Sequence, residues 1–220
     1  MTARPTSVDT LADMPRTPIK ELPSPTPDLA RLPVQERLIA TSLRLFAAQG
    51  VEGTSVQEIV AAAGVTKGAM YHYFASKDDL LYEIYHRLLS RQTERLNAIA
   101  NGPGTAAERV RSAAADVVES TLDSIEEAIV SFRSVHMLPN PQRTQVRAER
   151  RRYHERFRAL VEEGQRDGAF RKDVPADLAV HFFFGSVNQL GTWYHREGGL
   201  TRRQIAEHYA DLFLASLRPE

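Results

Sequence analysis

Three observations predict an all-α fold. From Pro33 almost to the end of the chain, apolar residues recur at helical spacing. Capping-box pairs, Ser or Thr followed three residues later by Glu or Gln, stand at Ser55–Glu58, Thr105–Glu108 and Thr201–Gln204. No segment alternates apolar and polar residues with the two-residue period of a strand. The expected layout is a Pro-rich tail over residues 1–32, a small helical domain over 33–80 and a larger helical domain over 81–220.

Each element has its own warrant. Seven of the 12 prolines fall at Pro5, Pro15, Pro18, Pro23, Pro25, Pro27 and Pro33, a spacing that prevents a helix and predicts disorder through about Asp28. Ile39, Leu43 and Phe46 then repeat at i, i+4 and i+7 in a helix that Gly50 and Gly53 stop. Val56, Ile59, Val60 and Ala63 give a short amphipathic helix ended by Gly64. Thr66 opens another short helix, and Ser76-x-x-Asp79 opens a longer one to about Ala100. Thr105 caps a helix that the prolines at 139 and 141 interrupt. A long helix follows from about Gln142 to Arg166, another from about Ala176 to Tyr194, and Thr201 caps the last, for roughly nine in all.

Composition excludes several functions. The chain has no cysteine, so disulfides, thiolate catalysis and Cys-based metal clusters are out. Lys plus Arg and Asp plus Glu are 28 each, so net charge gives no hint of nucleic acid and any such case rests on local placement. No run approaches a membrane span and no signal core follows the N-terminus, so no membrane partner is expected and a cytoplasmic location is. There is no His-Glu-x-x-His, phosphate loop or Gly-x-Ser-x-Gly. The seven histidines, His136, His154, His181 and His195 among them, carry no metal-ligand spacing; no enzyme, metal or cofactor is expected.

The informative stretch is GVTKGAMYHYFASK, residues 64–77, with three aromatic rings and two lysines on a segment too short to build a core. A short helix, a glycine turn and a second short helix make a helix-turn-helix, whose second helix enters the DNA major groove by its N-terminal residues. Thr66, Lys67 and Gly68 lie at that leading end. Lys67 has the chemistry to donate to guanine, Gly68 lets the backbones approach, and Tyr71 reaches a base methyl or a phosphate. Lys77, beside the first amides of the next helix, suits a phosphate. A generic helical bundle also contains such helix pairs.

The string GVTKGAMYHYFASKDDLL resembles the N-terminal domain of the TetR family of bacterial transcription regulators, with the ending Tyr71, Tyr73, Phe74, Lys77 and Leu80. The preceding RLIATSLRLFAAQGVEGTSVQEIVAAAGV, with Phe46, Gly50, Thr54 and Ile59, is similar to that family's first two helices. The resemblance implies a three-helix DNA-binding domain followed by a helical ligand-binding and dimerisation domain, in a ligand-responsive repressor of double-stranded operator DNA. It implies phosphate contacts from Thr54, Ser55, Tyr73 and Lys77, a base or backbone contact from Gln57, base reading by Lys67, Gly68 and Tyr71, and a groove-edge position for His72. Ser55 reads equally as a helix cap, Tyr73 as a packing residue and His72 as a solvent-facing one.

Reading two half-sites requires a dimer, and the resemblance implies a four-helix interface from the last two long helices, where Val187, Leu190, Ile205, Tyr209, Leu212 and Phe213 supply apolar surface. Three consecutive phenylalanines, Phe182 to Phe184, cannot all face one core. With Phe132, His136, Met137, Tyr153, Phe157, Asn188 and Trp193, Phe183 and Phe184 are candidates to line a ligand pocket. The run RTQVRAERRRYHERFR carries seven arginines, of which Arg147, Arg150 and Arg158 are candidates to hold an anionic ligand; a solvated face is the plain alternative. GAFRKDVPADLAVHFF and TWYHREGGLT are similar to the branch that senses acyl-CoA thioesters, so the expected effector is small and hydrophobic or acyl-CoA-like. The competing expectation is an all-helical protein-interaction module without DNA affinity.

Overall fold

The computed structural model describes residues 29–219, so the expected tail lies almost wholly outside the described residues. Ten α-helices form, with no strand among the described residues: α1 Val34–Gln49, α2 Val56–Ala63, α3 Lys67–Tyr73, α4 Lys77–Ala100, α5 Ala106–Asp123, α6 Ile125–Ser134, α7 Asn140–Arg166, α8 Ala176–Asn188, α9 Leu190–Trp193 and α10 Arg202–Ser216. The caps are those the sequence marks. Ser55, Thr105 and Thr201 each accept from the backbone three residues on while the Glu or Gln side chain there returns to the cap amide. Gly50, at φ 80°, ends α1.

Two expected helices are each divided. The segment after Thr105 breaks at Ser124 (φ −115°, ψ 43°). The break redirects the chain so that Ile125 joins the core of the larger domain while Val130 reaches the N-terminal one. The helix expected from Ala176 to Tyr194 stops at Gln189, whose amide turns back to the carbonyl of Ser186 at 3.1 Å. Four residues of α9 follow.

Two apolar cores result. One gathers α1, α2, α3 and the first half of α4, from Leu38 to Leu89, and draws in Val130, Leu138 and Val146. The other holds the far end of α4 with α5, α7, α8 and α10. Its centre is an aromatic stack in which Phe183 lies 5.4 Å from Phe157 and 4.7 Å from Phe213. Fully burying one such side chain stabilises the fold by roughly 1.5–3 kcal/mol. Helix α4 belongs to both cores, so a displacement of its middle is felt at the helix-turn-helix.

Candidate nucleic-acid interface and ligand cavity

The α2–α3 corner is built by local chemistry. Gly64 takes the left-handed conformation (φ 63°, ψ 40°), and the amide of Val65 closes back onto the carbonyl of Val60 at 3.0 Å. Thr66 then caps α3 through its hydroxyl, which accepts from the amide of Ala69 at 3.1 Å. Met70 and Phe74 are buried and hold one face of α3 down. The other face is open: Tyr71 is 47% and Tyr73 46% exposed, and Lys67, Gly68 and His72 are exposed as well. The Lys67 ammonium lies 5.8 Å from the centre of the Tyr71 ring, and His72 meets Tyr73 edge-on at 4.9 Å. Tyrosine rings left half in water on a pinned helix supply large contact area to a partner.

Gly68 is informative by what surrounds it. A Cβ built there would meet no protein atom nearer than Thr66 Oγ1 at 3.9 Å. Nothing within the protomer requires glycine, although glycine weakens a helix relative to alanine.

The residues before and after α3 are differently employed. Thr54 is buried, and its hydroxyl donates to the carbonyl of Gly50 at 2.7 Å and accepts from Gln49. Its expected phosphate contact is therefore corrected: the hydroxyl fastens the α1–α2 loop. Lys77 is engaged within the protomer as well. Its ammonium donates to the carbonyls of Val51 at 2.6 Å and Thr54 at 2.8 Å, so the fold uses it to tie that same loop to the start of α4. Ser55 is exposed but serves as the cap: its amide and hydroxyl both donate to the Glu58 carboxylate at 2.7 Å. Those bonds, the backbone one foremost, hold the Glu58 carboxyl below the ordinary range. Gln57 stands exposed in the first turn of α2.

The larger domain holds a cavity of about 710 Å³, open on one side, between α4, α5, α6, α7 and α8. Of the expected lining, Phe132, Tyr153, Phe184 and Asn188 contribute, as do Arg150 and Arg158. Six candidates do not. Phe157 and Phe183 are consumed in the aromatic stack. His136 and Met137 sit in a 3₁₀ turn, Met137 packing against the N-terminal core. Trp193 is turned outward and stacks on Tyr209, and Arg147 is exposed. Sequence reasoning missed the α4 wall, Tyr85, Leu88, Leu89 and Gln92, and the polar groups Ser131, Arg151, His154, Asp177 and His181. The signal available was a polar tip inside an apolar stripe: Leu81, Tyr85, Leu88 and Gln92 share a face of α4.

The cavity's polarity is uneven. The Tyr85 hydroxyl and Ser131 Oγ are buried without a protein partner. Burial drives the Tyr85 phenol well above its usual range. Elsewhere on the wall stand Arg150, Arg151, Arg158, His154 and His181. Burial first, and then the neighbouring His181, lowers the His154 pKa, which favours the neutral ring.

The expected dimer residues separate. Val187, Leu190, Ile205 and Phe213 are buried within the protomer, because α8, α9 and α10 close the aromatic core with them. Leu212 is 69% exposed, and Phe182, absent from that set, is 66% exposed beside Leu178. The three phenylalanines thus divide into surface, core and cavity, as steps of about 100° around a helix require.

A pinned glycine-turn helix with outward tyrosines, joined by one shared helix to a cavity-bearing domain, defines a helix-turn-helix DNA-binding protein with a ligand-binding domain. Residues 38–84 match the model of the bacterial regulatory proteins, tetR family, and residues 103–217 that of the tetracyclin repressor-like C-terminal domain. The chain belongs to the TetR family and is a ligand-responsive, DNA-binding transcriptional repressor; the family is one of regulators, not enzymes. Family membership also sets aside the expectation of an interaction module without DNA affinity, and dimerisation is typical of the family.

The chain is 26% identical over 182 residues to the HTH-type transcriptional repressor KstR2 of Rhodococcus jostii (strain RHA1), covering 82% of this chain and 89% of that protein. It is 31% identical over 166 residues to the HTH-type transcriptional repressor DhaR of Mycobacterium sp. (strain GP1), covering 72% and 80%. Among solved structures, AibR in complex with isovaleryl coenzyme A and operator DNA superposes with a TM-score of 0.73 at 25% identity, covering 85% of this chain and 99% of that one. No helix among the described residues is long and apolar enough to cross a membrane.

Proposed function

We propose that this repressor reads its operator with Lys67, Gly68 and Tyr71, supported by Thr66, Gln57, His72 and Tyr73, and releases it when an acyl-CoA thioester or a similar amphipathic anion enters the cavity. The observation that carries the effector class is the cavity's composition. An apolar body fits against Leu88, Leu89, Val117 and Phe184, while Arg150, Arg151 and Arg158 stand on the same wall system to meet an anionic group. That AibR was crystallised with isovaleryl coenzyme A supports the same class.

The coupling runs through α4. The effector would press between α4, through Tyr85, Leu88 and Leu89, and α7, through Arg150, Tyr153 and Arg158. The same two helices are tied near the DNA-binding end, where Gln142 donates to Asp79 at 2.7 Å. Arg87 of α4 also bridges to Glu36 of α1 at 2.8 Å. A wedge in the middle of α4 thereby changes how α1 to α3 are held, and repression is lifted to the extent that the effector prefers that second arrangement.

The dimer is formed, in this reading, by the outer faces of α8 and α10. Leu178, Phe182 and Gly185 lie at i, i+4 and i+7 on α8, and Leu212 lies on α10, whose Phe213 ring meets that of Phe183 of α8. Phe182→Glu is expected to yield monomers in sedimentation; an intact dimer would contradict that face.

The effector class is tested by thermal shift and DNA release with a long-chain acyl-CoA, the matching free fatty acid and CoA alone. The acyl-CoA is expected to raise the Tm and release DNA, and lack of response to all three would remove the proposal.

A further inference from the structure

We propose that His154, Asp177 and His181 form a binding site for a divalent transition-metal ion in the cavity wall. Asp177 and His181 stand one turn apart on α8, and His154 faces them from α7. One ligand atom from each lies within 4.8 Å of the others. Two imidazoles and one carboxylate suit zinc, cobalt or nickel and not magnesium or calcium, which take oxygen ligands.

The spacing supports a metal more than a set of hydrogen bonds. His181 Nε2 lies 3.5 Å from Asp177 Oδ2, and His154 Nδ1 lies 3.9 Å from Asp177 Oδ1. Both separations are long for hydrogen bonds. A tetrahedral ion with bonds of about 2.0–2.1 Å keeps its ligand atoms about 3.3–3.4 Å apart, so a small closing movement completes the site. The rings are already neighbours, with centroids 4.3 Å apart.

The nearest competitor is Arg158, whose guanidinium reaches Asp177 at 3.7 Å. It has a second carboxylate at Glu162, 3.2 Å away, to which it turns when a cation takes Asp177. Three protein ligands leave a fourth position, and all three residues line the cavity. The site stands whatever the effector proves to be.

The test titrates the tag-free, full-length protein with Co²⁺ alone and follows its visible absorption. The wild type is expected to take up one equivalent with the intense bands of low coordination number, which Zn²⁺ then abolishes and Mg²⁺ does not. His181→Ala and Asp177→Asn, both exposed and checked for an unchanged fold by Tm, are each expected to weaken Co²⁺ binding at least about 10-fold. Absence of bands in excess Co²⁺ would overturn the site, and so would bands that both variants retain at wild-type affinity.

Discussion

Gly68→Ala separates folding from DNA reading. Gly68 is the second residue of α3, and the space its missing Cβ would occupy holds no protein atom nearer than 3.9 Å. Within the protomer alanine is therefore the better residue, by up to about 1 kcal/mol in a helix interior and about half that in the first turn. For a domain of this size that raises the Tm by about 1–4 °C. In the proposed docking of α3, the same methyl would intrude between the helix backbone and the DNA. Overpacking a close interface costs about 1–3 kcal/mol, a loss of about 5-fold to 150-fold in affinity. The assay is fluorescence anisotropy on a duplex selected by the wild type from a random library, at one stated salt concentration, beside a thermal melt. A variant that melts higher and binds as well as the wild type would refute the placement of Gly68 against the groove.

Lys77→Met removes the ammonium that the carbonyls of Val51 and Thr54 share, leaving Val51 only the Thr54 amide at 3.3 Å, which is expected to destabilise the fold by about 1–3 kcal/mol. A Tm unchanged while DNA binding collapses would return Lys77 to phosphate. Tyr85→Phe removes a buried hydroxyl that has no protein partner; urea denaturation is expected to show stability held or raised by about 1 kcal/mol, and a marked loss would mean the hydroxyl is paired. Glu58→Ala removes a carboxylate held below its ordinary range by Ser55 and Gln49. A depressed carboxylate stabilises above its unfolded pKa and loses that effect as pH falls through the folded value. The variant should therefore melt below the wild type at neutral pH, and the two curves should converge in acid; a gap that persists in acid would assign the effect elsewhere.

The helix-turn-helix was legible because its determinants are local. Ser55 and Glu58, the left-handed Gly64 and the Thr66 cap lie within a dozen residues of one another, and each side chain finds the partner that its spacing implies. Lys77 shows what local reasoning does not see. Its position at the start of α4 suggested an anion, but folding brings it the carbonyl of Val51, 26 residues away in sequence. The cavity was half legible for the same reason. Three adjacent phenylalanines must diverge, yet which one meets the core depends on Phe157 and Phe213, far along the chain. Tyr85 and Leu89 read as ordinary core residues of an amphipathic helix, and only the packing of α7 against α4 leaves space beside them. His154 has no ligand spacing to Asp177 or His181; α7 and α8 create that neighbourhood.

The most direct test of the whole account is the DNA affinity of a Lys67→Ala, Tyr71→Ala double variant. Both side chains are exposed on a helix pinned from its other face, so the melt should be unchanged within about 1 kcal/mol. Two base-reading contacts of about 1–3 kcal/mol each predict at least about a 30-fold loss of affinity for the selected duplex. A folded double variant that binds that duplex with wild-type affinity would contradict the assignment of α3 as the reading helix.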